Sequence, residues 1–325
     1  MSGIVLAFPM TLKGKRAPAK QNFLNDLIDT ALAIKDQPAT KEDAAYMAKH
    51  LVQCTLPHKD PGQVMVWKRK NGNLTLKIRP ATDEQDRAMY PYGSIPRLLL
   101  FWMVSEVTRS KNVGSPSRRI DLGTNLDEFM RQIGLSPRTG GGKRGDAHRL
   151  RNQMERLFRS TISFEVAGGR SWVDMNIAPK GEFWWKSAEP EQGKLWVSWI
   201  ELGEEFYKAI LESTIPVDFR ALKALKRSPL ALDLYALLAY KTDAANRKDA
   251  KGDDLAPVPW EGLHNQMGAE YKELRRFKQS VASAVKKILA VSQMKAELTD
   301  YGIKVHPGKT PIASTPKKEK VLEGK

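Results

Sequence analysis

Arg149, Asn152, Arg156 and Arg159 recur at intervals of three or four residues, the spacing that lines one face of a helix. Leu150, Met154, Leu157 and Phe158 recur in the complementary phase. A helix over 146–159 therefore has one apolar face, opposed by guanidinium and amide groups and the imidazole of His148. Arginine can grip the acceptors of guanine with two hydrogen bonds, and asparagine can do the same for adenine. Such a helix suits the major groove of DNA, although a solvated basic face on an ordinary amphipathic helix would carry the same letters.

Immediately upstream stands Thr139-Gly140-Gly141-Gly142-Lys143-Arg144-Gly145. This is not a nucleotide-binding P-loop, which needs glycine five residues before the Gly-Lys pair and a hydroxyl residue after it. Pro137 and Arg144 occupy those positions. Backbone N–H groups exposed by glycine, with Lys143 and Arg144 at a helix N-terminus, suit a DNA backbone phosphate instead.

A second helix of the same design is expected over 271–289. Leu274, Phe277, Val281, Val285 and Ile288 form its core stripe, while Lys272, Arg275, Arg276, Gln279, Ser283 and Lys286 take the polar side. Each of the two helices follows a shorter one that ends at a glycine, 127–133 before Gly134 and 260–267 before Gly268. Each also precedes a hairpin, 161–166 with 171–177 and 295–298 with 302–305. Helix, turn, helix, hairpin is the order of a winged helix. The expected fold is α+β, with two tandem winged-helix domains and an N-terminal helical extension.

The elements around these helices follow from patterning. Residues 1–21 read as a mobile basic arm, 23–32 as a short amphipathic helix and 40–54 as a second helix. Asn71-Gly72 predicts a hairpin between strands at 64–67 and 74–78. Ile95 to Val107 is dense enough in apolar residues for the core helix of a first domain, with a short strand at 119–122. Further strands are expected at 183–185 and 195–199. In the second half, a core helix over 230–240 precedes a polar loop over 242–259. The resulting division is an extension over 1–62, winged-helix domains over 63–199 and 200–306, and a disordered tail over 307–325 rich in Pro, Lys, Ser and Thr.

A net charge of +16 over 325 residues points to a polyanionic partner, nucleic acid ahead of membrane lipid. No window is apolar enough to span a bilayer. The apolar start lacks the preceding positive charge of a secretory signal, so a cytoplasmic protein is expected. A single cysteine, Cys54, excludes an internal disulfide and a cysteine-rich zinc site.

Support for catalysis is thin. The five histidines contain no His-x-His pair to hold a metal, and Tyr90, Tyr92, Tyr207 and Tyr271 read as core or cap residues. Glu201, Glu204 and Glu205 suit a helix start. Alternation along strands makes Trp184, Trp185, Trp196 and Trp199 core residues sooner than stacking platforms. No enzyme activity, cofactor or metal is expected.

Pro91-Tyr92-Gly93-Ser94-Ile95-Pro96-Arg97, then 126–130 with Ile133-Gly134-Leu135, then the glycine element at 139–145, together resemble the RepA-type plasmid replication initiators, particularly those of broad-host-range plasmids. The resemblance runs from about residue 64 to 240, with one extra glycine in the glycine element. It implies binding to repeated origin sequences (iterons), opening of an adjacent A+T-rich segment, and recruitment of the host initiator and replicative helicase. It also implies a homodimer that represses its own gene. A winged-helix repressor without initiator activity is the alternative, and a nicking or priming enzyme a weaker one.

Overall fold

The computed structural model describes residues 19–137, 145–166, 170–183, 198–267 and 271–312, with the side chains of 19–24 and Asp26 set aside. It is an α+β protein, as expected. Helix α1 (Ala19–Asp36) extends the expected short helix at both ends and buries Leu27 and Ile34. The expected helix over 40–54 is instead strand β1 (Ala44–Ala48) followed by the short helix α2 (Lys49–Gln53). Nothing in Ala-Ala-Tyr-Met-Ala favours a strand. Pairing with residues 214–218 imposes it, and tertiary contact overrides local propensity.

The Asn71-Gly72 hairpin is present, between β2 (Trp67–Asn71) and β3 (Leu74–Arg79), with Gly72 at φ 57°. The first strand starts at Trp67 rather than at Val64, because Val64 and Met65 face solvent. Two-residue strands β4 (Ala81–Thr82) and β5 (Ala88–Met89) lead to α3 (Ser94–Asn112), which is buried on nearly every side. Strand β6 (Arg119–Gly123) and α4 (Leu126–Gln132) follow. The Asn125 side chain caps α4, accepting from the N–H groups of Asp127 and Glu128 at 2.9 and 3.3 Å. Gly134 closes this segment at φ 81°.

Helix α5 (Asp146–Phe158) buries Leu150, Met154, Leu157 and Phe158, the stripe expected from spacing. The hairpin of β7 (Thr161–Val166) and β8 (Ser171–Asn176) joins the earlier hairpin in one antiparallel sheet, ordered β2-β3-β7-β8. Strands β9 (Lys180–Glu182) and β10 (Ser198–Glu201) form a second sheet in which β10 lies between β6 and β9. The remaining stretch assigned to strands, 184–197, lies outside the described residues.

Helix α6 (Glu204–Glu212) precedes β11 (Thr214–Asp218), the partner of β1, and α7 (Phe219–Leu225). Helix α8 (Pro229–Asp249) starts under a Ser228 cap and runs well past Tyr240, where a loop was expected. Polar composition misleads there, since Thr242 and Ala245 are buried and Arg247 pairs with Asp243 one turn earlier. Strand β12 (Val258–Pro259), α9 (Trp260–Met267), α10 (Leu274–Ala290), β13 (Lys295–Leu298) and β14 (Gly302–His306) complete the order, with β14 between β12 and β13. Residues 307–312, assigned to the tail on composition, pack on the body. Asn246 clamps Gly308 by hydrogen bonds to its N–H and carbonyl at 2.8 and 3.0 Å. Residues 313–325 lie outside the described set.

One sequence of elements occurs twice, α3-β6-α4-α5-β7-β8 and α8-β12-α9-α10-β13-β14. Their apolar residues belong to a single continuous core that also takes in β1 and α2.

Candidate nucleic-acid interface

Helix α5 turns His148, Arg149, Arg151 and Arg159 to solvent. Two of these carry an acidic neighbour on the helix: Arg149 with Asp146 and Arg159 with Glu155, each at 3.3 Å. Such exposed pairs are weak and leave the guanidinium available. Arg151 was absent from the expected polar face because it sits on the flank beside the apolar stripe, yet it is exposed.

Arg156 is placed differently. Its Nε donates to Asn152 Oδ1 at 2.8 Å, and its Nη1 to the Tyr90 carbonyl at 3.2 Å and to Asp60 at 3.4 Å. The guanidinium also lies over the Tyr92 ring, 5.4 Å from its centroid. Arg156 and Asn152 thus engage each other and the segment before α3, and only 16% of the Arg156 side chain is exposed.

That segment is the Pro91-Tyr92-Gly93 stretch. The Tyr92 N–H donates to the buried Gln153 side chain of α5 at 3.0 Å. Gly93 takes φ 80° and ψ −159°, a backbone region open to glycine, and donates to the Pro57 carbonyl. Four residues on, Arg97 spends all five N–H donors internally. They go to Asp233 of α8 and to the carbonyls of Leu56, Pro57 and Gly93, at 2.6–3.1 Å. His58 adds a 2.9 Å contact to Asp233. Burial raises the Asp233 pKa, but the Arg97 charge and the hydrogen bonds from His58 and Arg97 outweigh it and hold the carboxyl below the usual value. The stretch that carries part of the family resemblance is also a junction fixing α5, the leader and α8 together.

Helix α10 presents Arg275, Arg276, Gln279, Ser283 and Lys286 to solvent along almost its whole length, with Lys272 exposed just ahead of it. Arg276 has Glu273 at 3.2 Å, both well exposed. Beside this row runs a groove of about 820 Å³ between α10 and the N-terminus of α8, whose lining includes Lys59, Ser228, Lys272, Arg276, Gln279 and Lys287. Lys59 and Ser228 reach it from distant segments, so spacing along α10 could not identify them. Lys143 and Arg144, with the rest of the glycine element from Thr139 to Gly142, lie outside the described residues, and Gly145 caps α5.

Cys54 is fully buried, and burial pushes its thiol up to about 11. Among the described residues no group of three His, Cys, Asp or Glu is placed to hold a metal ion, and no helix is long and apolar enough to cross a membrane.

No curated protein and no solved structure matches the chain significantly. A family model does: that of the plasmid-encoded RepA protein, over residues 90–258, just over half of the sequence. The matched span runs from the Pro91-Tyr92-Gly93 junction through α5 to the end of α8 and the loop after it. The chain belongs to the family of plasmid-encoded RepA proteins, the RepA-type plasmid replication initiators.

Proposed function

We propose that this initiator binds double-stranded origin DNA sequence-specifically through two tandem winged-helix domains, 63–199 and 200–306, without enzyme activity or cofactor. The repeated order α-β-α-α-β-β supports that design, with α5 and α10 in the recognition position and a hairpin after each. The observation that carries the reading is the exposed row Arg276, Gln279, Ser283 and Lys286 on α10, flanked by a groove bearing Lys59, Lys272 and Lys287. Side chains that can read base edges there stand beside cations that can hold the phosphates. On α5 the reading assigns DNA contact to His148, Arg149 and Arg159, and gives Arg156 and Asn152 the task of setting the helix against the Tyr92 junction. Lys143 and Arg144 hold a phosphate at its start.

Two such helices on one protein, spaced about a helical turn of DNA, fit direct repeats on the order of 20 base pairs. In the same reading the protein opens the adjacent A+T-rich segment and recruits the host initiator and helicase in the cytoplasm. A dimeric form represses its own gene. A footprint on the parental plasmid tests it. Protected direct repeats, with neighbouring bases newly reactive to single-strand probes, are expected. A single palindromic site without melting would make the protein a repressor instead.

A further inference from the structure

The β2-β3-β7-β8 sheet has two unlike faces. Trp67, Leu76, Ile78, Ile162, Phe164 and Met175 turn to the core. The pairing register sets out the other face in straight rows across the four strands. One row reads Lys70, Thr75, Glu165, Trp172 and the next Lys68, Lys77, Ser163, Asp174. A shorter third reads Arg79, Thr161, Asn176. Trp172 is 69% exposed, although an indole normally finds cover in a folded protein. The two acids are already paired, Glu165 with Lys77 and Asp174 with Arg79. Lys68 and Lys70 are exposed and have no ion-pair partner among the described residues. Between them and Trp172, Ser163 keeps a buried hydroxyl with no hydrogen-bond partner among the described residues.

We propose that this sheet face binds single-stranded DNA, with a base stacked on Trp172 and the backbone tracking across the sheet to Lys70 and Lys68. The charge left over is positive and the exposed aromatic lies at the opposite edge, roughly 15 Å away across three strand spacings of about 4.8 Å. That separation suits a short run of nucleotides and not the flank of a duplex, whose bases are hidden in the stack. An indole offers a face to any base, so the site has little sequence preference. None of its residues belongs to the exposed rows of α5 and α10. The inference rests on the initiator reading only in that opening of the origin supplies the displaced strand.

Fluorescence anisotropy with the full chain tests it, using an oligothymidine of about 20 nucleotides and, in parallel, a duplex carrying the origin repeat. Trp172→Ala should weaken oligothymidine binding by roughly 5- to 150-fold, while Trp172→Phe retains most of it. Lys68→Ala with Lys70→Ala should also weaken it and flatten its salt dependence, and duplex affinity should stay unchanged in all three. Failure of the parent protein to bind oligothymidine overturns the proposal. So does equal weakening on duplex, which would make Trp172 a wing contact to double-stranded DNA. Equal affinity for oligouridine would reassign the face to RNA. A change from dimer to monomer in Trp172→Ala with strand binding intact would make it a contact between copies. Loss of repeat-specific duplex binding with Trp172-dependent strand binding intact would sink the initiator reading and leave this one standing.

Discussion

Arg97 and Asp233 meet as a two-pronged ion pair across 136 residues of chain, Nε to Oδ1 and Nη2 to Oδ2, each at 2.7 Å. The pair joins the core helices of the two repeated units, α3 and α8, and is itself buried. Removing one partner strands the other charge, so Asp233→Asn should lower unfolding stability by about 3–5 kcal/mol in urea titration. The Asp233 pKa is depressed in the folded state. Its contribution is therefore complete above the unfolded value of about 3.9 and is lost as pH falls through the folded pKa. The acid limb of the stability profile should flatten in Asp233→Asn. An unchanged limb would show that the pair is not what acid unfolding disrupts.

Gly93 occupies a backbone region that an L side chain rarely enters. The space around it is open, the nearest atom to an added Cβ being the His58 carbonyl oxygen at 3.9 Å. Gly93→Ala should thus cost about 1–3 kcal/mol by strain alone. A neutral result in thermal or urea unfolding would show that the turn before α3 relaxes.

Arg156 is engaged on the protein side by Asn152, Tyr90 and Tyr92. We expect Arg156→Ala to destabilise the fold by about 1.5–3 kcal/mol, the range for hydrogen bonds to a charged group. DNA affinity should then fall equally on cognate and random sequence. A normal melting curve with selective loss on the cognate repeat would return Arg156 to base reading.

Gln279 and Lys272 should separate by sequence dependence. Gln279→Ala is expected to weaken the cognate repeat by about 1–3 kcal/mol and random duplex little. Lys272→Ala and Lys143→Ala should weaken both alike and reduce the salt slope by about one unit each. Band-shift titrations on the two duplexes decide between these patterns, and a cognate-selective loss in Lys272→Ala would move that residue from phosphate to base.

The charge of the whole chain sets a further expectation. If about 6–10 phosphates are neutralised, affinity should fall roughly 10³- to 10⁵-fold between 50 and 200 mM salt. A shallow slope would mean that the exposed lysines and arginines do not face the duplex.

Sequence spacing located α5 and α10 and their buried stripes because an amphipathic helix writes its period into the letters. The exception is Leu274, expected in the α10 stripe but exposed in its first turn, while Ala284 joins the buried side. The same spacing placed Arg156 with its neighbours on the helix, since nothing local reveals that Tyr92 and Asp60 stand above it. Strand β1 read as helix because its five residues acquire a strand only from a partner far along the chain. The polar end of α8 read as loop because its buried face is narrow, Thr242 and Ala245. The rows across the β2-β3-β7-β8 sheet were invisible for a related reason. Lys70 and Trp172 stand at the two ends of one row across the sheet, on strands far apart in sequence.

The β1–β11 ladder also has a temporal meaning. Ala44 pairs with Asp218, so a chain made N-terminus first holds its first strand without a partner until the second is synthesised. At about 5–20 residues per second that interval is roughly ten to thirty-five seconds. Throughout it, the buried side chains of 44–48 are on offer to any other strand edge in the cell, including that of a neighbouring nascent copy. The strand that joins the leader to the body therefore waits on the synthesis of its partner, and the wait lengthens as the ribosome slows.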